Sequence, residues 1–279
     1  MRQGQDLREQ ITALAALPDD KIGLAEAALT IARSEYPDLD ASRYVKQLND
    51  MAARLKSRIE NISTPEGRIA EMNRFLFEEE GFSGNRTDYY DPRNSFLNDV
   101  LDRKLGIPIT LSIVYIDVGR RADLPLYGIG FPGHFLTGLL TDKGRIFIDP
   151  FDDGKVLTED DCRRMWHGRP SGSRTFKPSF LNPAWPKQIL VRLLRNLKAV
   201  YWHLSEEMKA IWMTEWILIF DPNAVPEIKE RGFFYEAIGD VKGAVRDLQK
   251  YLELAPAAED EELVTATIER LRGTKSTIH

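Results

Sequence analysis

Cysteine is almost absent. Cys162 is the one thiol in 279 residues, which excludes an internal disulfide and any multi-cysteine metal site, and suits a reducing compartment. Histidine is scarce as well, at four residues. His167 and His203 lack acidic or sulfur neighbours at ligand spacing, so neither a metal site nor a cofactor is expected. Long apolar runs are missing: the uncharged stretch 126–141 holds four glycines, a proline and a histidine and is too short to cross a bilayer. There is no basic excess either. Thirty-eight Lys and Arg against 43 Asp and Glu leave a net charge of -5, with no electrostatic footprint for nucleic acid or an anionic membrane. The opening MRQGQDLREQ has no apolar core of the secretory type, so the chain reads as soluble and cytoplasmic. With 43% hydrophobic and 29% charged residues it has the composition of a globular protein, long enough for one large domain or two smaller ones.

Along the chain, residues 6–33 and 41–62 carry apolar side chains at helical spacing and are broken by Pro37, which predicts two or three amphipathic helices. Thr64 before Pro65 reads as an N-cap followed by a proline at the first helical position, with that helix reaching Glu80. The turn-rich 81–93 is a loop, and Asn94 opens the next helix, either as its N-cap or as a residue lining a cleft.

The densest chemistry lies in 94–151. GIPITLSIVYIDVGRR predicts a helix starting at Pro108 and buried on most sides, whose first turn (Pro108, Ile109, Thr110) presents free N–H groups and positive dipole. Three strands should follow, 126–131, 134–140 and 145–151, with TDKG (141–144) as the turn joining the last two. His134 would begin the second strand and Asp149 would end the third, and antiparallel neighbours could bring the two together. Two readings stand open: a catalytic dyad, or a satisfied core histidine beside a strand-end turn aspartate. Pro132 and Gly133 would shape the turn presenting His134. Thr158 and Asp161 form a predicted capping box for a short helix holding Cys162, and the Pro/Ser/Gly-rich 167–187 reads as an interdomain connection.

An internal repeat follows. Tyr201, Ala210, Phe220 and Pro222 recur 34 residues later as Tyr235, Ala244, Leu254 and Pro256, the period of tetratricopeptide helix pairs. Residues 259–272 form a predicted amphipathic capping helix, and 273–279 read as a frayed end.

NSFLNDVL, GIPITLS, FPGHF and IDPF, in that order and followed by the repeats, resemble the bacterial SirB-type family of transglutaminase-like proteins, as does EAALTIARSEYPDLD near the start. A similar core occurs in a eukaryotic F-box protein. The resemblance implies an α+β fold: N-terminal helices (1–64), a papain/transglutaminase-like core (65–182) and an all-α tetratricopeptide region (183–279). It implies His134 as the catalytic histidine and Asp149 as the acid that orients it. Active relatives keep a cysteine in the helix's first turn, which falls at 108–110, and this chain has none there. Hydroxyls are far harder to activate than a thiol of reference pKa about 8.5, and Cys162 follows Asp149 where the fold needs the nucleophile before His134. The expected function is therefore a non-catalytic protein-binding or regulatory module, acting on a protein or peptide through the repeats and the retained cleft. The alternatives are a hydrolase or acyl transferase using Thr110 or Ser112 with His134 and Asp149, and a purely structural scaffold. Asn94, Ser112, Pro132 and Gly133 are the expected cleft-lining residues.

Overall fold

A computed structural model of the chain describes residues 2–142, 144–168 and 175–274. Two compact units divide between 193 and 194. The first unit opens with helices α1 (Arg2–Ala16), α2 (Leu24–Ala32) and α3 (Ala41–Ile59), where the apolar spacing placed them. α3 buries Tyr44, Leu48, Met51, Leu55 and Ile59 at steps of three and four, the stripe that an amphipathic helix turns to a core. Thr64 caps α4 (Pro65–Asn73) by accepting the Gly67 N–H at 3.2 Å, with Pro65 at the first position. The predicted extension to Glu80 is π-helical from Arg74 to Glu79, a widening that places Phe75 and Leu76 in the core.

Asn94 does not open a helix. It ends a 3-10 turn (Pro92–Asn94), and α5 (Leu97–Arg103) starts after Phe96 instead. The two-residue strands β1 (Ser83–Gly84) and β2 (Leu105–Gly106) pair in parallel, and α6 (Pro108–Arg121) follows, buried from Pro108 through Gly119 as its near-continuous apolar sequence demands.

The sheet has five antiparallel strands in the order β6-β5-β4-β3-β7. β3 (Leu126–Ile129), β4 (Leu136–Thr141) and β5 (Gly144–Asp149) are the three predicted strands; Lys143 of the predicted TDKG turn lies outside the described residues. The edges are β6 (Lys155–Leu157) and β7 (Pro183–Ala184), too short to show a period of two in the sequence. Leu126 lies against α6, where a Cβ on Gly119 would meet its Cδ1 at 2.2 Å. Ile129, Leu136 and Phe147 belong to a second cluster with Cys162 and Trp166 of α7 (Glu159–His167). Phe176 and Leu181 are buried in that cluster too, so the stretch read as a connection contributes core and an edge strand to the first unit. Residues 169–174 of that stretch lie outside the described residues. The capping box at Thr158 and Asp161 is present.

α8 (Pro186–His203) carries the division between units. The second unit continues with α9 (Glu207–Phe220), α10 (Val225–Ala237), α11 (Val241–Leu254) and α12 (Glu261–Thr274), the antiparallel hairpins expected of the repeat. Gly232 lets α10 and α11 approach closely, since a Cβ there would meet the Leu248 side chain at 2.8 Å. Ala244, Leu248 and Tyr251 pack with Val264, Ile268 and Leu271 of α12. Residues 273–274, read as frayed, close α12, and 275–279 lie outside the described residues. The architecture is α+β, with N-terminal helices, a mixed core and C-terminal helical repeats.

One clip holds the turn after β5 to α4 and α6. The Asn73 side-chain amide donates to the Gly154 carbonyl at 2.6 Å and its oxygen accepts the Tyr115 hydroxyl at 2.8 Å. Gly154 has φ of +75°, and a Cβ there would sit 2.2 Å from Asn73 Oδ1. Gly154→Ala should therefore cost more than about 1 kcal/mol and lower the thermal midpoint by several degrees, while Gly168→Ala, at the negative φ of -73° that closes α7, leaves it unchanged.

Candidate active site

His134 and Asp149 meet. Nε2 of the imidazole lies 2.8 Å from Asp149 Oδ2, with the side chains 14% and 9% exposed. Asp149 ends β5 as predicted, and its other oxygen accepts the Phe151 N–H at 3.0 Å, which fixes the carboxylate. His134 does not begin a strand. It closes a turn in which its N–H donates to the Phe131 carbonyl at 3.0 Å, two residues before β4. Pro132 and Gly133 are the central residues of that turn, and Gly133 takes a φ of +64°, so proline followed by a left-handed glycine forms a type II arrangement. The Arg192 guanidinium donates to the His134 carbonyl at 2.8 Å and lies over the Phe135 ring at 5.8 Å.

With the carboxylate oxygen accepting, Nε2 donates to Asp149 and Nδ1 is left as the ring nitrogen outside the pair. Nδ1 has no hydrogen-bond partner among the described residues. The imidazole meets the Phe151 ring in an edge-on arrangement, 6.1 Å between ring centres. Arg86 stacks over Phe151 at 4.8 Å and bonds its carbonyl and Asp152, joining the loop after β1 to the turn that carries Asp149.

The first turn of α6 carries no thiol and no free hydroxyl. Pro108 has no side-chain proton, Ile109 is apolar, and all three residues 108–110 are buried. The Thr110 hydroxyl accepts the Ile107 N–H at 3.1 Å and gives its proton to the Asn94 carbonyl at 2.7 Å. Ser112 Oγ is buried without a hydrogen-bond partner among the described residues. Asn94 is fully buried; its side chain bonds Asp88 and Asn85, holding the loop that presents the edge-on pair Tyr89 and Tyr90 to solvent. Cys162 is buried, and burial first, with Asp161, Glu159 and Asp149 adding repulsion, pushes its thiol up to about 11. Such a thiol is inert at neutral pH.

Asn73, Asn85, Arg86 and Arg192 shape this site and escape a sequence reading, because their partners lie 9 to 81 residues away. The doubled asparagines of the 85–94 loop are the one local signal. Among the described residues no group of three or more His, Cys, Asp or Glu side chains is placed to hold a metal ion, and no helix is long and apolar enough to cross a membrane.

A His–Asp pair at the end of an antiparallel sheet that packs on a buried helix is the arrangement of a transglutaminase-like core. Residues 42–195 match the family model described as Transglutaminase-like superfamily, and residues 197–269 match a tetratricopeptide repeat model. The chain is 41% identical over 254 residues to a UPF0162 protein of Xylella fastidiosa, covering 90% of each chain. It is 28% identical over 253 residues to a UPF0162 protein of Vibrio cholerae, covering 90% of this chain and 93% of that one. Over 102 residues it is 37% identical to human F-box only protein 21, a match spanning 34% of this chain and 16% of that protein. The chain belongs to the UPF0162 family of transglutaminase-like proteins, and the resemblance drawn from its motifs holds.

The Thr110 bonds predict an asymmetry. Thr110→Val strands a buried carbonyl and a buried N–H and should cost about 1–3 kcal/mol, whereas Thr110→Ser keeps the hydroxyl and should cost about 1 kcal/mol or less for one buried methyl. Urea unfolding of both variants measures the difference.

Proposed function

We propose that this protein is a cytoplasmic protein-binding or regulatory module, in which the transglutaminase-like core no longer performs acyl transfer. The repeats and the retained cleft hold a protein or peptide partner. One observation carries the reading: the position of the nucleophile is filled by Pro108, Ile109 and Thr110, and the Thr110 proton is committed to the Asn94 carbonyl. Acyl transfer of this type needs a group that attacks the carbonyl carbon while the histidine removes its proton. The base is oriented, yet no thiol stands before it. Tetratricopeptide hairpins expose helix faces on a repeating frame, which suits recognition of another chain.

The 2.8 Å contact between His134 and Asp149 favours a second reading, a hydrolase or acyl transferase with Thr110 or Ser112 as nucleophile. Steady-state assays separate the two. With an activated ester, and with a glutamine peptide plus a primary amine, wild type and His134→Ala should both give the rate of buffer alone. Turnover lost in both His134→Ala and Thr110→Ala overturns the binding-module reading.

A further inference from the structure

The second unit carries a groove of about 730 Å³ along α11 whose walls are cationic. Arg231, Lys242, Arg246, Lys250 and Arg272 line it, against the carboxylates of Asp247 and Glu253. Asp247 is buried and paired with both Arg231 and Arg246 at 2.5 and 2.9 Å, so it braces two guanidinium groups from beneath. Glu253 pairs with Lys250 at 3.1 Å in an exposed contact, which contributes little and exchanges readily. Lys242 and Arg272 have no partner among the described residues. In a chain of net charge -5, this is a local reversal of sign.

Resting on the reading that the repeats hold a protein partner, we propose that this groove binds an extended acidic peptide with carboxylates on alternate residues. The spacing carries the argument. Lys242, Arg246 and Lys250 recur every four residues of α11, so their Cα atoms step by about 6 Å along the helix. Alternate side chains of an extended chain step by about 6.6 Å on one face. Three successive carboxylates can therefore each meet one cation. A single-stranded nucleic acid has a similar charge spacing, but among the described residues no aromatic ring lines the groove for base stacking.

The test uses the full chain and a fluorescent synthetic peptide of three glutamates alternating with valines, read by anisotropy at low and physiological salt. Binding should weaken with salt, and should weaken about tenfold or more in Lys242→Glu and in Arg272→Glu. Lys46→Glu, an exposed reversal outside the second unit, should leave it unchanged. A peptide of the same composition with its glutamates adjacent should bind more weakly. The proposal is overturned by no binding to wild type, by equal affinity for both peptides, or by tighter Lys242-dependent binding of a single-stranded oligonucleotide. A captured protein partner retained undiminished by Lys242→Glu removes this groove and leaves the module reading intact. Wild type that retains no protein partner removes the module reading, and this proposal with it.

Discussion

The Thr110 hydroxyl ties two pieces of backbone together at a place where water does not reach. It accepts from Ile107 at the entrance of α6 and donates to Asn94 at the end of the preceding loop. Both backbone groups would otherwise be buried without partners, a cost of a few kcal/mol between them. With that tie in place, β2 enters α6 on a fixed path, and Gly106 pairs with Gly84 in β1. The loop that leaves β1 then carries Arg86 onto Phe151, whose ring edge meets His134. A chain of contacts thus links the helix entrance held by Thr110 to the ring beside the histidine.

That job competes with nucleophilic work at the same atom. A hydroxyl that attacks must offer its proton to the base, and this one offers it to a carbonyl it is needed to satisfy. The dyad, by contrast, is fully assembled: Asp149 is fixed by the Phe151 N–H, and the backbone of His134 is held by Arg192 and by the turn through Gly133. The core thus keeps the His134–Asp149 pair while the Thr110 hydroxyl serves stability. The repeat unit offers a cationic surface of its own.

Much of this was legible in the sequence because it rests on local patterns. The Thr64–Pro65 start of α4, the buried character of α6, the strand carrying Asp149, the turn at Pro132–Gly133 and the 34-residue repeat all follow from spacing or from turn chemistry. Where local signals competed, the reading slipped. Asn94 looks like an N-cap by residue type, but its side chain is drawn to Asp88 and Asn85 by the closure of the loop, and the helix starts three residues later. His134 looks like the head of a strand because Phe135 and Leu136 follow it, yet the left-handed Gly133 keeps it in the turn. β6 and β7 are too short to alternate visibly, and the π-helical turn at 74–79 has no sequence signature of its own. The cationic groove was hidden for a plainer reason: Lys and Arg four apart on a helix read as a solvated face until the fold brings Arg231 and Arg272 beside them.

The most direct test of the account is the intact mass of the wild-type chain after exposure to a serine- and threonine-reactive acyl or phosphonyl probe, followed by peptide mapping. The account predicts an unmodified mass, with Thr110 and Ser112 recovered unchanged and the result the same for His134→Ala. A stoichiometric adduct on either hydroxyl, formed by wild type and absent from His134→Ala, would contradict it, because the base would then be activating a nucleophile that the buried bonds of α6 are held to withhold.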